Sequence, residues 1–340
     1  MRKLLNVLYV TTPESYLSKD GMNVVVSVDK EERFRIPIVN IEGIVTFGYM
    51  GASPGLMKLC ADNGVALSFL SPNGRFIGRF QGPVRGNVLL RKTQYQIADD
   101  KEHALHYAKL FVAGKIQNYR TILQRFVRDN GSNEEVEAAI RSLNCSKGWA
   151  LRAKDVPNLI GVEGDAANTY FSIFPHQLLQ QRDRFPFQGR NRRPPKDAVN
   201  ALLSFVYTLL AHETAAALES VGLDPYVGFL HVLRPGRTSL ALDLMEEMRA
   251  YLGDRLVLSL INRKQVTPND FVMQGESGVV MTDDCRKTVL TAWQSRKKET
   301  IVHPYLEEKI SVGLLPYAQA LLLARAIRGD LDDYPVFLIH

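Results

Sequence analysis

Residues 197–221 read DAVNALLSFVYTLLAHETAAALESV, a helical run that is apolar on nearly every face. A helix without a polar side has no place on a surface, so other elements must wrap it. Gly222 follows at once, where a residue able to turn left-handed closes a helix. The run predicts a central buried helix with a mostly α-helical domain built around it. Upstream, residues 88–128 carry long helical patterns rich in Leu, Lys, Ala and Gln, and a further helix is predicted over 133–143. Before residue 87 the texture changes. Residues 8–10, 24–28, 34–37, 44–47 and 65–70 are β-branched and aromatic runs separated by turn residues, which predict short strands. One helix, 53–62, interrupts them and ends at Asn63-Gly64, and a hairpin is predicted around Pro72-Asn73-Gly74. At 340 residues the chain exceeds what one core usually serves. The predicted class is α+β, with a β-rich domain over 1–86 and a mostly α-helical domain over 87–340.

With 46% hydrophobic and 23% charged residues, the composition is that of an ordinary globular chain. No uninterrupted apolar stretch approaches the roughly 20 residues of a membrane span, so no membrane association is predicted. Met1-Arg2-Lys3-Leu4-Leu5 imitates a secretion signal, but Asn6 breaks it and an alternating segment follows, so a first strand is predicted there. Cys60, Cys145 and Cys285 form no Cys-x-x-Cys spacing and no pairing framework, which points to a reducing, cytoplasmic setting. The net charge of +6, with a pI near 9.1, favours polyanionic partners. Much of the excess sits in residues 182–196, RDRFPFQGRNRRPPK. There Arg182, Arg184, Arg190, Arg192, Arg193 and Lys196 face the single acid Asp183, with Phe185 and Phe187 between them. Three prolines forbid a regular helix. Such a loop suits phosphate contacts and base stacking; a solvated linker would read the same way.

Several familiar motifs fail on chemistry. Gly51-Ala52-Ser53-Pro54-Gly55 has the spacing of a hydrolase nucleophile elbow, but Pro54 lacks the N–H that would hold an oxyanion. Ser53 as a helix cap with Pro54 in the first turn explains the residues better. His212-Glu213 begins a zinc-protease pattern, yet Ala216 stands where the second histidine belongs. Gly114-Lys115 lacks the upstream glycine of a phosphate loop, since position 109 is Lys.

Three segments remain that join metal-ligand chemistry to suitable local structure. In VEGDAANTYF, 162–171, Glu163 is read at a helix start with small residues beside it; an acid there also simply complements the helix dipole. In LDPYVGFLH, 223–231, His231 stands in an apolar stretch, where a histidine is more often a hydrogen-bonded core residue than a ligand. In LALDLMEEMR, 240–249, the stripe Ala241, Leu244, Met245 and Met248 leaves Asp243, Glu246 and Glu247 on the opposite face, where acids are usually solvated. Carboxylates with one imidazole suit Mn²⁺, and an oxygen-rich site suits Mg²⁺. Spacing alone does not bring the segments together.

These three segments, in this order and separation, resemble the CRISPR-associated protein one family, the integrase of spacer acquisition, over essentially the whole chain. LLNVLYVTTPESYL (4–17), GIVTFG (43–48), SPGLMKLCADNG (53–64) and LSFLSPNGRF (67–76) look like the form found with type I-C CRISPR systems. The resemblance implies an N-terminal β domain joined to an α-helical catalytic domain. It implies that Glu163, His231 and Glu246 bind the catalytic Mg²⁺ or Mn²⁺, with Asp243 an accompanying acid and Glu247 an open alternative. It further implies a metal-dependent DNA endonuclease and strand transferase that inserts captured double-stranded DNA into a CRISPR repeat. The chain would work as a homodimer through its β-rich domain, in complex with the small CRISPR-associated protein two. A branched-DNA or RNA nuclease, and a DNA-binding scaffold without catalysis, are the competing readings.

Overall fold

The computed structural model describes residues 7–12, 14–41, 43–48, 50–71, 76–80, 82, 88–191, 194–275 and 278–339. By packing, the chain divides into two units, residues 1–85 with 281–299, and residues 86–280 with 300–340. The chain thus passes between the units three times, where the sequence suggests a single boundary at 86. Residues 281–299, read from sequence as part of the helical domain, fold with the β-rich unit.

The first unit holds β1 (Val7–Val10), β2 (Ser15–Asp20), β3 (Asn23–Val28), β4 (Glu31–Pro37), β5 (Gly43–Phe47), α1 (Pro54–Asn63), β6 (Ala66–Leu70) and β7 (Phe76–Phe80). One sheet has the order β1-β5-β6-β7, parallel except for the antiparallel β6–β7 pair. The second is the antiparallel meander β2-β3-β4. Val10, Leu17, Val24, Val26, Ile38, Ile44, Leu56 and Leu67 are among the residues of their common core. Sequence periodicity misses β2 because only Ser15 and Leu17 of SYLSKD turn inward and are buried. Helix α1 starts as expected: Ser53 Oγ accepts from the Leu56 N–H at 3.2 Å, and Gly64 closes it at φ 66°. The expected turn at Pro72-Asn73-Gly74 lies outside the described residues, as does Met1–Asn6.

The second unit contains α2 (Val88–Asp99), α3 (Lys101–Asn130), α4 (Glu134–Leu151), α5 (Val156–Ile173), α6 (Ala198–Ser220), α7 (Ser239–Leu244), α8 (Glu246–Met248) and α9 (Arg255–Asn262). A π-helical turn, Arg249–Asp254, joins α8 to α9. The strands β8 (Phe271–Met273) and β9 (Val279–Met281) pair. Helix α10 (Asp283–Lys298) belongs to the first unit, where Gln294 Nε2 donates to the Val7 carbonyl at 3.0 Å. The antiparallel pair β10 (Thr300–Val302) and β11 (Lys309–Ser311) precedes α11 (Leu315–Ile327).

Helix α6 is the predicted centre. It is long and apolar enough to cross a membrane by length and composition, but most of its apolar window is buried in the unit, which is what a core helix requires. The helical stretch over 88–128 is two helices. Asp100 breaks it because its side chain accepts from the Glu102 and His103 N–H groups, both at 2.9 Å, and caps α3. Glu163 does not start a helix. Asp155 caps α5 through the Asn158 N–H at 2.8 Å, with Pro157 in the first turn, which puts Glu163 in the helix interior. The dipole reading of this acid is thereby removed.

Candidate active site

Helices α3 and α5 are registered by a ring stack: Tyr119 and Tyr170 lie 3.8 Å apart with their planes 7° from parallel. Tyr119 is one turn beyond Lys115 and Tyr170 two turns beyond Glu163, so the same packing brings Lys115 and Glu163 face to face. Lys115 is almost wholly buried, and its ammonium pairs with Glu163 Oε1 and, at 2.7 Å, with Glu246 Oε2. Arg249 Nη2 pairs with Glu246 Oε1 at 2.9 Å and stacks its guanidinium 5.1 Å from the Tyr207 ring centroid. Burial pushes the Glu246 carboxyl upward, but Arg249, Lys115 and His231 together outweigh it and hold it down at about 2. Glu246 is therefore a carboxylate throughout the working range. Its Oε2 lies off the angle of a hydrogen bond to Lys115 and has no directional donor.

His231 sits in the loop after α6, and Asp243 orients it. Asp243 Oδ1 accepts from His231 Nδ1 at 2.6 Å and from the His231 N–H at 3.0 Å. Oδ2 accepts from the Phe229 and Leu230 N–H groups at 2.6 and 2.9 Å. A carboxylate so saturated has little left for another partner. It directs the imidazole by Nδ1 and leaves Nε2 turned away. Gly228 makes this approach possible, since a Cβ there would lie 2.6 Å from Asp243 Oδ2 and 2.8 Å from the Leu240 nitrogen.

The solvated-face expectation for residues 240–249 is corrected, because Asp243, Glu246 and Glu247 are all buried. The three diverge. Asp243 turns to His231 and Glu246 to Lys115 and Arg249. Glu247 accepts from Tyr334 Oη at 2.5 Å, Gln319 Nε2 at 2.8 Å and the Phe337 N–H at 2.9 Å. Burial pushes Glu247 up to about 7 against the pull of those bonds. Among the described residues no three His, Cys, Asp or Glu side chains stand together as a ready cation cage. The reason is visible: Lys115 Nζ lies between the two glutamates, and Asp243 takes one nitrogen of His231.

Sequence reasoning passed over Lys115 and Arg249. In the sequence Lys115 stands out only as part of a failed phosphate loop. Its available signal was its position on the stripe Phe111–Lys115–Tyr119, where the neighbours at four-residue spacing are buried aromatics.

The basic segment divides. Phe185 and Phe187 are buried, packing on Phe271 and on Phe171 and Phe174, so neither is offered to bases. Arg190 is an internal brace: it donates to the Asn191 carbonyl, to Asn200 Oδ1 at 2.7 Å and to Ser204 Oγ at 3.0 Å. Arg182, Arg184 and Lys196 carry solvent-accessible side chains. Arg192 and Arg193 lie outside the described residues. No disulfide joins Cys60, Cys145 or Cys285.

A family model described as CRISPR associated protein Cas1 matches residues 8–295. The CRISPR-associated endonuclease Cas1 1 of Chlorobaculum tepidum is 51% identical over 341 aligned residues, 99% of each chain. The chain belongs to the Cas1 family. The CRISPR-associated endonuclease Cas1 2 of Rhodospirillum rubrum is 48% identical over 98% of each chain. Among solved structures, a Cas1 protein from Thermotoga maritima superposes with a TM-score of 0.83 at 23% identity, covering 98% of this chain and 100% of that one. A casposase bound to integration product gives a TM-score of 0.82 at 22% identity, covering 96% and 92%. At those identities the likeness is one of fold, and the α+β class expected from sequence is the Cas1 fold. The family matches the resemblance carried by Glu163, His231 and the 240–249 segment.

Proposed function

We propose that the chain is a divalent-metal-dependent DNA endonuclease and integrase that inserts captured DNA fragments as new spacers into a CRISPR array. The observation that carries this is the convergence of Glu163 and Glu246 on one buried ammonium, beside an imidazole aimed by Asp243. Two carboxylates and an imidazole nitrogen are a donor set for Mg²⁺ or Mn²⁺. The Lys115 ammonium stands in for the charge such an ion would bring, and Glu246 Oε2 has a cation without a directional bond. Glu163, Glu246 and His231 through Nε2 would hold the ion, with Asp243 fixing the ring. When bound, the ion supplies charge stabilisation at the phosphoryl oxygens and a lowered pKa for the attacking hydroxyl. In strand transfer the 3′-hydroxyl of the captured fragment forms a new ester at a repeat phosphodiester, and the repeat strand's own 3′ oxygen leaves. With water in place of that hydroxyl, the same site cuts.

The chain works with double-stranded DNA and the small CRISPR-associated protein two, as a homodimer through its β-rich unit, in the cytoplasm. The resemblance of its N-terminal segments to the type I-C form supports that subtype. The test is strand transfer into a supercoiled plasmid bearing the repeat, with and without the small partner. Glu163→Ala, His231→Ala and Glu246→Ala are expected to lose cleavage and transfer by orders of magnitude while DNA binding persists. Activity that survives both Glu163→Ala and chelation would end the metal reading; binding with no chemistry in the parent chain would favour a scaffold.

A further inference from the structure

Glu246 and Glu247 are consecutive residues that point into different surroundings, and the surroundings of Glu247 are as fully built as those of Glu246. Tyr334 and the Phe337 N–H, both from the stretch after α11, and Gln319 from α11 itself converge on one carboxylate at 2.5–2.9 Å. The same stretch is held from α3. Asn118, three residues beyond Lys115, donates through Nδ2 to the Glu247 carbonyl at 2.7 Å and to the Phe337 carbonyl at 2.8 Å. Its Oδ1 accepts from the Ile339 N–H at 2.9 Å. On the other side of Lys115, a Cβ at Gly114 would collide with Val336 Cγ1. Phe111, one turn before Lys115, meets Tyr334 with ring centroids 5.6 Å apart. Residues 334–337 and 339 therefore lie along α3 over the turn that carries Lys115, tied at once to α3 and to the residue next to Glu246.

We infer that Glu247 is a positioning residue, and that with Asn118 it clamps the stretch Tyr334–Ile339 as a strap fixing Glu246 relative to Lys115 and Glu163. The inference rests on the reading of Glu163 and Glu246 as metal-holding residues. Glu247, Asn118 and Gln319 are fully buried, and a buried carboxylate costs desolvation that an apolar residue of similar volume would avoid. What the carboxylate adds over a leucine is direction. Three donors fix its orientation, and Asn118 fixes the backbone carbonyl of the same residue. A rotation of α8 that drew Glu246 from Lys115 would break these four bonds together. Supports of this kind, one layer behind the metal-holding atoms, typically contribute 10–100-fold to metal affinity or activity.

The test is calorimetric titration of the full chain with Mn²⁺ alone, without DNA, alongside thermal melts. Glu247→Ala is expected to weaken Mn²⁺ binding by about tenfold or more. Glu247→Gln, which keeps an acceptor for Tyr334 and Gln319, is expected to recover most of that loss, and Tyr334→Phe to fall between. Leu218→Ala, in the core of α6, provides the contrast: it is expected to lower the melting temperature and leave Mn²⁺ affinity unchanged. A folded Glu247→Ala chain with parental Mn²⁺ affinity overturns the inference. Should Glu247→Ala not fold, Tyr334→Phe decides, and an unchanged affinity there overturns it equally. Mn²⁺ binding that survives Glu246→Ala sinks the metal reading itself, and the strap role of Glu247 with it.

Discussion

At Lys115 a single buried ammonium serves two carboxylates, and the consequences can be measured without DNA. Replacing it with methionine keeps the stem packed against Tyr119 but leaves Glu163 and Glu246 facing each other, with Arg249 in direct ion pair with Glu246 and acting on Glu163 only from a distance. Uncompensated buried charge of this kind costs about 3–5 kcal/mol, and Glu163 retains some solvent access, so the low end applies. Lys115→Met is therefore expected to lower stability by about 3 kcal/mol in metal-free buffer. Added Mn²⁺ is expected to restore more stability to it than to the parent, because a bound cation replaces the missing charge. Paired thermal melts with and without Mn²⁺ check this, and equal Mn²⁺ shifts for the two proteins would count against a shared cation site. At Asp243 both oxygens already accept N–H bonds. Asn would turn a donor NH₂ toward backbone donors and lose its hold on His231. Asp243→Asn is expected to reduce cleavage by about 10–100-fold, with the larger share in kcat, as read from DNA cleavage at saturating Mn²⁺.

The π-helical turn Arg249–Asp254 does at the level of an element what Lys115 does at a residue. Such turns recur at functional sites, and this one aims Arg249 at Glu246 while burying Asp254 under the Tyr207 hydroxyl. Gly253 is needed there, since a Cβ would lie 2.8 Å from Tyr207 Cε1. Burial raises Asp254 from 3.8 to about 6, against the pull of Tyr207, Tyr170, Arg249 and Lys115. A raised carboxyl binds its proton more tightly folded than unfolded. Its stabilising share is complete below pH 3.8 and is lost as pH rises through about 6. Glu246 has the opposite sign: held at about 2, it stabilises above its ordinary 4.5 and loses that share only as pH falls toward 2. Asp254→Asn keeps an acceptor for Tyr207 and removes the charge. It is expected to be more stable than the parent at pH 7.5, by up to about 3 kcal/mol at 1.36 kcal/mol per pH unit, with no gain near pH 4. Denaturant melts at pH 4, 5.5 and 7.5 check this; a gain independent of pH would contradict it. None of this turn was legible in the sequence, because Arg249, Gly253 and Asp254 continue a helical pattern and nothing local announces one extra residue per turn. Helix α6, the Ser53 cap and the separate textures on either side of residue 87 were legible, because each rests on neighbours in the chain. The start of α5 at Asp155 carried a cap signal that the helical spacing around Glu163 overrode.

Across the whole molecule, the parts that sequence could not assign are those decided by distant packing. Residues 281–299 look like any other helix and fold with the β-rich unit, and the 182–196 segment looks like one cationic loop and is two things. Its aromatics are buried and Arg190 is a half-buried brace, while Arg182, Arg184 and Lys196 reach solvent. Arg190→Gln is accordingly expected to cost stability and leave salt dependence alone. Replacing Arg182, Arg184 and Lys196 together with glutamine is expected to weaken binding to duplexes of any sequence. It should also flatten the salt dependence by about 0.9 log unit for each phosphate no longer neutralised. Filter binding across a salt series separates the two, and an unchanged slope in the triple variant returns the segment to a solvated linker. Integration adds a demand that a single site does not meet, since a spacer is joined at both ends and each end is a separate strand transfer. Two copies of the chain related by a twofold axis would provide paired sites, and closed symmetric dimers are the commonest oligomers. The small partner would then set the distance between the sites. Light scattering of the purified chain is expected to give twice the 38.2 kDa monomer mass, rising when the partner is added. Substituting charge for the exposed Phe34 and Met22 of the β-rich unit is expected to return it to monomer with the fold retained. A strict monomer at micromolar concentration that completes two-ended integration without the partner would overturn the paired-subunit reading.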